Sequence, residues 1–291
     1  MKGPPPRHLK KYVAKCLGLK SYLQRPGEGR TQGRIPAAAL LWGLIMGVLL
    51  RRAAFAGIEA RVRSRARRAL DVSPRFGDAA LSYFTARLDP EVTRRAAVTA
   101  VRQAKRHKAF DPSPFIGLAL DGTGAGRSRD KVCDRCRPYR NQQKEIQGYH
   151  HKRVMLSVVG TGLRRGETVR VIRYRQYKPN GKVYEAYWLT DFPPPRVSSR
   201  TLFLMAKSRW EIENPGFNDA KNRYGFEHIC HHQPHRLLVV WLLTCLALTI
   251  ERLYRVRYLH RGTHPVRAAI DLLLLFQLSL GSLAANLPDS S

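Results

Sequence analysis

Two acidic residues far apart in the chain are candidates for phosphodiester chemistry. Asp121 follows an apolar run, residues 115–120, that predicts a buried strand, and a Gly-rich stretch is expected to turn the chain after it. Glu213 continues the apolar stripe of Phe203 and Trp210 on a predicted helix. In-line cleavage of a phosphodiester is stabilised by divalent cations, and Mg²⁺ or Mn²⁺ binds carboxylates that arrive from separate fold elements. The pattern predicts a cation site at Asp121 and Glu213.

Each of these acids also has a purely structural interpretation. An Asp at a junction between a strand and a turn is common and needs no ligand. Arg209 lies four residues before Glu213 on the same predicted helix, which is the spacing of an intrahelical ion pair. The residues alone leave both interpretations open.

The five cysteines include one pair with metal-ligand spacing. Cys133 and Cys136 form a CxxC motif, and two pairs of adjacent histidines could join it: residues 150–151, after 13 intervening residues, or residues 231–232 later in the chain. A CxxC pair is half of a zinc site, but adjacent histidines lack the separation of three to five residues that brings two of them to one metal. The spacing therefore favours cysteines without a metal in a polar loop. Their odd number and scatter favour a reducing compartment over a disulfide framework.

The elements that must position these residues divide the chain into four predicted segments. Residues 1–35 are polar with scattered Gly and Pro, and they predict a loose basic arm. Residues 36–108 show helical periodicity and predict an all-helical domain. An α/β domain is expected over residues 109–235, followed by C-terminal helices over 236–291.

Four runs within the predicted α/β domain indicate strands. They are residues 115–120, 153–159, 169–177 and 183–189. Asn180 and Gly181 separate the last two runs and predict a hairpin. Ser198 or Ser199 is expected to cap a helix that continues through Glu213.

The charge balance points to a polyanionic partner. The chain carries 52 Lys and Arg against 21 Asp and Glu, a formal net charge of +31. Such a charge repels itself in the fold but is useful beside nucleic acid. In the helical domain we expect DNA contacts from Arg51, Arg52, Arg63 and Arg67. A second run of basic residues falls on a predicted helix over residues 90–108; a solvated surface is the alternative for both runs.

Two apolar runs are either membrane-spanning segments or core helices. Residues 37–50 and 237–250 each contain 14 residues, fewer than the roughly 18–20 that cross a bilayer. We therefore expect buried core helices, a soluble protein and no membrane partner. The N-terminus has no apolar stretch typical of a secretory leader.

A block on the predicted helix resembles a known family. Residues 208–221, SRWEIENPGFNDAK, resemble the signature of the insertion-sequence-four family of DDE transposases, as does the turn that begins at Asp121. The resemblance implies a ribonuclease-H-like fold, with Asp121 and Glu213 binding Mg²⁺ or Mn²⁺. It implies that Arg209 and Lys221 contact DNA near the scissile phosphate. The implied partners are the ends of a transposable element and its target DNA, and a homodimer is left open. The implied location is the nucleoid in the cytoplasm.

The chain departs from that family between its two outer acids. Only 213 − 121 = 92 positions separate them, and the middle strand with the family's second catalytic Asp has no counterpart here. Asp191 is the available substitute, but its place before a run of prolines favours a turn residue. We expect a truncated ribonuclease-H-like domain with impaired catalysis. The alternatives are a non-catalytic DNA-binding remnant or regulator of an intact transposase, and a generic basic RNA-binding protein.

Overall fold

The structure is a computed structural model, and it describes residues 5–31, 33–52, 54–109, 118–158, 170–190, 195, 197–208, 224, 233–259 and 272–279. The helices are α1 (Pro5–Lys15), α2 (Lys20–Gln24), α3 (Ala37–Leu49), α4 (Phe55–Arg63), α5 (Ala66–Ala69), α6 (Asp78–Thr85), α7 (Pro90–Arg106), α8 (Ser199–Ser208) and α9 (Pro234–Tyr254). The strands are β1 (Leu118–Ser128), β2 (Arg137–Arg140), β3 (Ile146–Val158), β4 (Arg170–Tyr177) and β5 (Val183–Thr190). A π-helical segment (Arg255–Leu259) continues α9, and residues 272–279 are helical. This mixture of helices and small sheets agrees with the predicted α/β class.

The chain divides into two compact units. The first contains Met1–Ala109, Gly124–Lys152 and Ala220–Ser291, and the second contains Phe110–Thr123 and Arg153–Asp219. The first unit therefore combines α1 to α7 with α9, which the sequence assigned to separate segments.

The core of the first unit is built around α9. This helix packs against α7 and α3, and it buries Val239, Leu243, Leu246 and Ile250. The spacing of these residues by three or four positions places them on one side of the helix. The buried run of α3, which includes Trp42, supplies the opposing apolar surface. Both 14-residue apolar runs are core helices, as the sequence predicted.

Among the described residues, one helix is long and apolar enough to cross a membrane by length and composition. It covers α9 and its π-helical continuation; its most apolar 18-residue stretch has a mean hydropathy of 1.8, and half of that stretch is buried within the protein. A core helix of a folded domain passes the same test, and the packing of α9 against two other helices is that of a core helix.

The predicted loose arm over residues 1–35 is wrong, because the described part of this segment, residues 5–31 and 33–35, contains two helices that pack within the first unit. Helix α1 buries Leu9, Tyr12 and Val13, which have the spacing of one amphipathic face. Further along, Arg30 forms an ion pair with Glu28, and the Arg30 side chain is only 4% exposed. Interspersed lysines and flanking prolines hid the apolar stripe of α1 in the sequence.

Three helices end with a residue in the left-handed backbone region. Arg51, Asp71 and Lys108 follow the C-caps of α3, α5 and α7, and each has a φ of 58°. After α7, the Lys108 amide donates to the Lys105 carbonyl at 2.9 Å and the Ala109 amide to the Ala104 carbonyl at 3.0 Å. These paired bonds form a Schellman motif, in which glycine is the preferred residue at the left-handed position.

The strands form one three-stranded and one two-stranded sheet. The first has the order β1-β3-β2, with β2 and β3 antiparallel, and the second is the antiparallel hairpin β4-β5. The hairpin confirms the prediction from Asn180 and Gly181: the Lys178 amide donates to the Lys182 carbonyl at 2.9 Å, and Gly181 has a φ of +74°. Glycine adopts this conformation without steric cost.

The structure gives the end of β1 and the start of α8, two boundaries that the sequence predicted. Strand β1 does not end at Asp121 but continues to Ser128, so the Gly-rich stretch is part of a strand and the predicted turn is wrong. Ser198 is the cap of α8, since its hydroxyl accepts from the Thr201 amide at 3.1 Å. The predicted continuation of this helix to Glu213 lies outside the described residues.

Candidate nucleic-acid interface and Cys–His cluster

Helix α7 has one buried face and one basic face. Its buried residues are Thr93, Ala96, Ala100 and Ala104, whose small side chains pack towards α9 and the rest of the unit. The opposite face exposes cationic side chains: Arg94, Arg95, Arg102, Lys105 and Arg106, with Lys108 two positions after the helix end. The Asp89 carboxylate caps the helix by accepting from the Glu91 amide at 2.8 Å. The fold therefore holds a row of cations on a rigid, capped helix.

Most of these cations have no acidic partner among the described residues. Arg94 pairs with Glu91, whereas Arg95, Arg102 and Arg106 form no ion pair within the part of the chain that the structure describes. The last three are spaced by seven and four residues, so they form one stripe about 16 Å long. Along the axis of duplex DNA each strand has one phosphate per about 3.4 Å, so roughly five phosphates of one strand fall within that length. The stripe matches the size and charge of a nucleic-acid backbone.

A groove lies at the N-terminal half of the same helix. It is lined by residues of α2 and α7, including Tyr22, Arg25, Arg95 and Thr99, and has a volume of about 490 Å³. The Tyr22 hydroxyl lies 3.1 Å from the Thr93 hydroxyl, and this bond ties α2 to α7. Two guanidinium groups on the groove walls suit an anionic group.

The four arginines that the sequence assigned to DNA lie at the ends of α3, α4 and α5. Arg52 and Arg63 are exposed, and Arg67 is half-buried. Arg63 forms an ion pair with Glu59 at 2.6 Å. The Arg51 guanidinium lies 5.8 Å from the centre of the Tyr224 ring, and its Nε and Nη2 atoms are buried. Arg52 is thus the most freely placed of the four for a phosphate contact.

The predicted cation site is only partly within the described chain. The backbone of Asp121 lies in β1, and its side chain is outside the described set. Glu213, Arg209, Lys221 and Asp191 all lie outside the described residues. The convergence of Asp121 and Glu213 on one cation therefore stays a prediction.

A second group of metal-ligand side chains lies in the first unit. The Cys133 and Cys136 sulfurs are 3.6 Å apart, and the His151 Nε2 atom lies 3.5 Å from the first and 3.6 Å from the second. Cys136 and His151 are buried and Cys133 is half-buried. The cysteines are on a tight turn closed by a 3.0 Å bond from the Cys136 amide to the Cys133 carbonyl, and β2 begins directly after it.

Strand pairing explains how these three residues meet. Arg137 in β2 lies opposite His150 in β3, so the preceding Cys136 comes next to His151. Successive side chains of a strand point to opposite faces, and His150 instead stacks on Tyr139 with ring centres 5.8 Å apart. One histidine of the adjacent pair therefore joins the cysteines, which the sequence argument based on using both histidines missed.

Gly148 allows the strands around this cluster to approach closely. It pairs with Tyr139 and has a φ of +154°, and a Cβ atom there would lie 2.6 Å from the Ser128 carbonyl oxygen. No other residue fits this position without moving a neighbouring strand. The Cys–His cluster is thus held by a sheet with little tolerance for displacement.

The outer face of the β4-β5 hairpin carries both aromatic and basic side chains. Tyr177 and Tyr187 are exposed, and Arg173 and Arg175 both donate to the Glu185 carboxylate. Hydrogen bonds, first from Arg173 and then from Tyr187, lower the pKa of Glu185 to about 2. Because Glu185 already pairs with both arginines and offsets one of their two charges, this face is a weaker candidate for phosphate binding than α7.

Comparison with known proteins gives no external assignment. No protein family, curated protein or solved structure matches the chain. The basic face of α7, the Cys–His cluster and the sequence are the features that bear on its function.

Proposed function

We propose that the protein binds DNA through the basic face of α7, as a member of the transposase class. The observation that carries the proposal is the stripe of Arg95, Arg102 and Arg106, which lies opposite a buried face of small residues and lacks acidic partners in the described chain. Contacts to phosphates dominate protein affinity for DNA and need this kind of positioned cation. Arg52 at the end of α3 and Lys108 at the end of α7 extend the proposed interface.

The assignment to transposition rests on the block over residues 208–221 and not on α7. In this proposal residues 109–235 form a truncated ribonuclease-H-like domain, Asp121 and Glu213 bind Mg²⁺ or Mn²⁺, and Arg209 and Lys221 hold DNA beside them. Transposition then consists of hydrolysis at the element's ends and attack of the freed 3′-hydroxyl on target DNA. Without a second Asp the cations are bound weakly, so strand cleavage is impaired.

The binding part of this proposal is tested with duplexes that carry the inverted repeats flanking the reading frame. Scrambled duplexes of equal length and composition serve as controls, and anisotropy is measured at several salt concentrations. At cytoplasmic salt concentrations we expect tighter binding to the repeats than to the scrambled duplexes, as for a protein associated with the nucleoid. The affinity should fall steeply as salt is added. A triple variant with Gln in place of Arg95, Arg102 and Arg106 should have a shallower slope of log K against log salt. The magnitude of the slope should decrease by about 3, because each phosphate contact contributes about 0.9.

A matched variant distinguishes a specific effect of the α7 basic face from an effect of total charge. Replacing Arg175, Lys178 and Lys182 by Gln removes three positive charges from the β4-β5 hairpin and should leave most of the salt slope unchanged. Equal losses in the two variants would contradict a specific role for α7. Equal affinity for repeats, scrambled DNA and RNA would favour the generic RNA-binding alternative.

The catalytic part is tested separately on the same duplexes with Mg²⁺ or Mn²⁺. We expect specific binding with little or no cleavage, as for a remnant or regulator of an intact transposase. Efficient cleavage that Asp121→Ala abolishes would show that the active site works without the family's second Asp. Sedimentation of the free and bound protein would determine whether a homodimer forms on paired element ends.

A further inference from the structure

We propose that Cys133, Cys136 and His151 bind a zinc ion that joins the turn before β2 to strand β3. This site is distinct in chemistry from the predicted carboxylate site, because Mg²⁺ and Mn²⁺ prefer oxygen ligands whereas two sulfurs and an imidazole nitrogen suit zinc. The proposal does not depend on DNA binding or on transposition.

The distances among the three ligand atoms match those of a tetrahedral zinc site. With zinc–sulfur bonds of about 2.3 Å and zinc–nitrogen bonds of about 2.0–2.1 Å, tetrahedral angles place two sulfurs about 3.8 Å apart and a sulfur and a nitrogen about 3.6 Å apart. The observed sulfur–sulfur distance is 3.6 Å, and the two sulfur–nitrogen distances are 3.5 and 3.6 Å. A single ion can therefore reach all three atoms without a change of backbone.

Charge and burial agree with the same ion. Two thiolates balance the charge of Zn²⁺, so the site is neutral with a neutral imidazole, as a site with two buried ligands requires. A disulfide is a poor description, because its sulfur–sulfur bond would be about 2.05 Å. Zinc also has a structural task here: β2 has four residues, and its pairing with β3 is irregular between Tyr139 and Arg140. A metal link at its start strengthens this short pairing.

The described residues supply three ligands, and zinc takes a fourth ligand from water or from another part of the chain. The number and type of ligands are measurable by X-ray absorption on the full-length protein. We expect two sulfur ligands, at least one nitrogen ligand and about one zinc ion per chain.

The first experiment measures zinc by mass spectrometry in full-length protein purified without chelator or metal resin. Cys133→Ser, Cys136→Ser and His151→Ala should each lose zinc, and the matched Cys245→Ser on α9 should retain it. His151→Cys exchanges one zinc ligand for another and should also retain the ion. Far-ultraviolet circular dichroism checks that each variant keeps its helices.

A second measurement uses the unmodified protein and so does not depend on variants that fold. After chelation, Co²⁺ is added, and a thiolate-to-cobalt charge-transfer band should appear and then vanish when Zn²⁺ displaces the cobalt. The melting temperature should fall on chelation and recover with Zn²⁺. Zinc-free protein with no thiolate band, or a Cys133–Cys136 disulfide in freshly prepared protein, would overturn the proposal. So would equal zinc loss in Cys245→Ser.

Discussion

Replacing Lys108 with Gly should stabilise the protein while weakening its binding to DNA. Lys108 is exposed, and its φ of 58° places it in the left-handed region at the end of α7. An L-residue there costs about 1–2 kcal/mol of folding stability, which glycine avoids. The greater conformational freedom of glycine in the unfolded chain offsets about 0.5–1 kcal/mol of this gain. Loss of a cation near the helix C-terminus subtracts a few tenths of a kcal/mol at moderate salt. The net gain is about 0.5 kcal/mol.

The assay measures folding and binding on the same samples. Denaturant unfolding should give a higher midpoint with an unchanged m-value, and the melting temperature should rise by about 1–2 °C for a protein of this size. Salt-dependent anisotropy with repeat DNA should give a slope smaller by about 0.9, the contribution of one phosphate contact. Few substitutions move the two quantities in opposite directions, so a general loss of folded protein cannot imitate this result.

Lys144 provides the matched control, because it is also an exposed lysine in the left-handed region, with a φ of 65°, in the turn before β3. Lys144→Gly should stabilise the protein by a similar amount and leave the DNA slope nearly unchanged. If Lys108→Gly destabilises the protein, the assigned backbone conformation is wrong. If both variants weaken binding equally, total charge and not the α7 face determines affinity.

Three further perturbations test the fold. Burial raises the pKa of Tyr22 from 10.0 to about 12. Between these pH values the folded state keeps a proton that the unfolded state loses, so stability falls as the pH rises from about 10 to 12. Tyr22→Phe should make that decline shallower in denaturant titrations, at a cost of about 1 kcal/mol at neutral pH from the lost bond to Thr93; an unchanged alkaline slope would contradict this. Glu28→Gln leaves the buried Arg30 charge unpaired and should destabilise the protein by about 3 kcal/mol in chemical unfolding, whereas a loss below about 1 kcal/mol would mean that Arg30 reaches water. Gly181→Ala meets no neighbouring atom within 4 Å but must adopt a φ of +74°, so it should cost about 1 kcal/mol through the backbone alone; a neutral result, or a steric rearrangement seen by NMR, would refute that reasoning.

The sequence predicted best where one local pattern determines the structure. The continuous apolar runs of α3 and α9 and the Asn180–Gly181 turn of the hairpin each carry their own signal. The basic face of α7 follows from periodicity as well, since small residues at helical spacing alternate with arginines. In these elements, burial and backbone preference agree.

Prediction failed where a contact between distant segments overrides the local pattern. Helix α1 is stabilised by partners such as Tyr254, whose hydroxyl lies 2.8 Å from His8 Nδ1 although 246 residues separate them. Strand β1 continues through a Gly-rich stretch because pairing with β3 outweighs the low strand preference of glycine. Adjacent histidines need not both reach a metal, because a strand presents only one of them, His151, to the cysteines.

The distribution of acids explains how a chain of such high charge both folds and keeps a strongly cationic face on α7, the proposed DNA interface. Several acids in the first unit are paired with an arginine only two to four positions away, as in Glu28 with Arg30, Glu59 with Arg63 and Glu251 with Arg255. Local pairs neutralise cations near the core but leave more distant ones unbalanced. The α7 stripe thus keeps its charge at the expense of folding stability through self-repulsion. Added salt screens this repulsion and also weakens phosphate contacts, so folding and DNA affinity must depend on salt in opposite senses if this face is the interface.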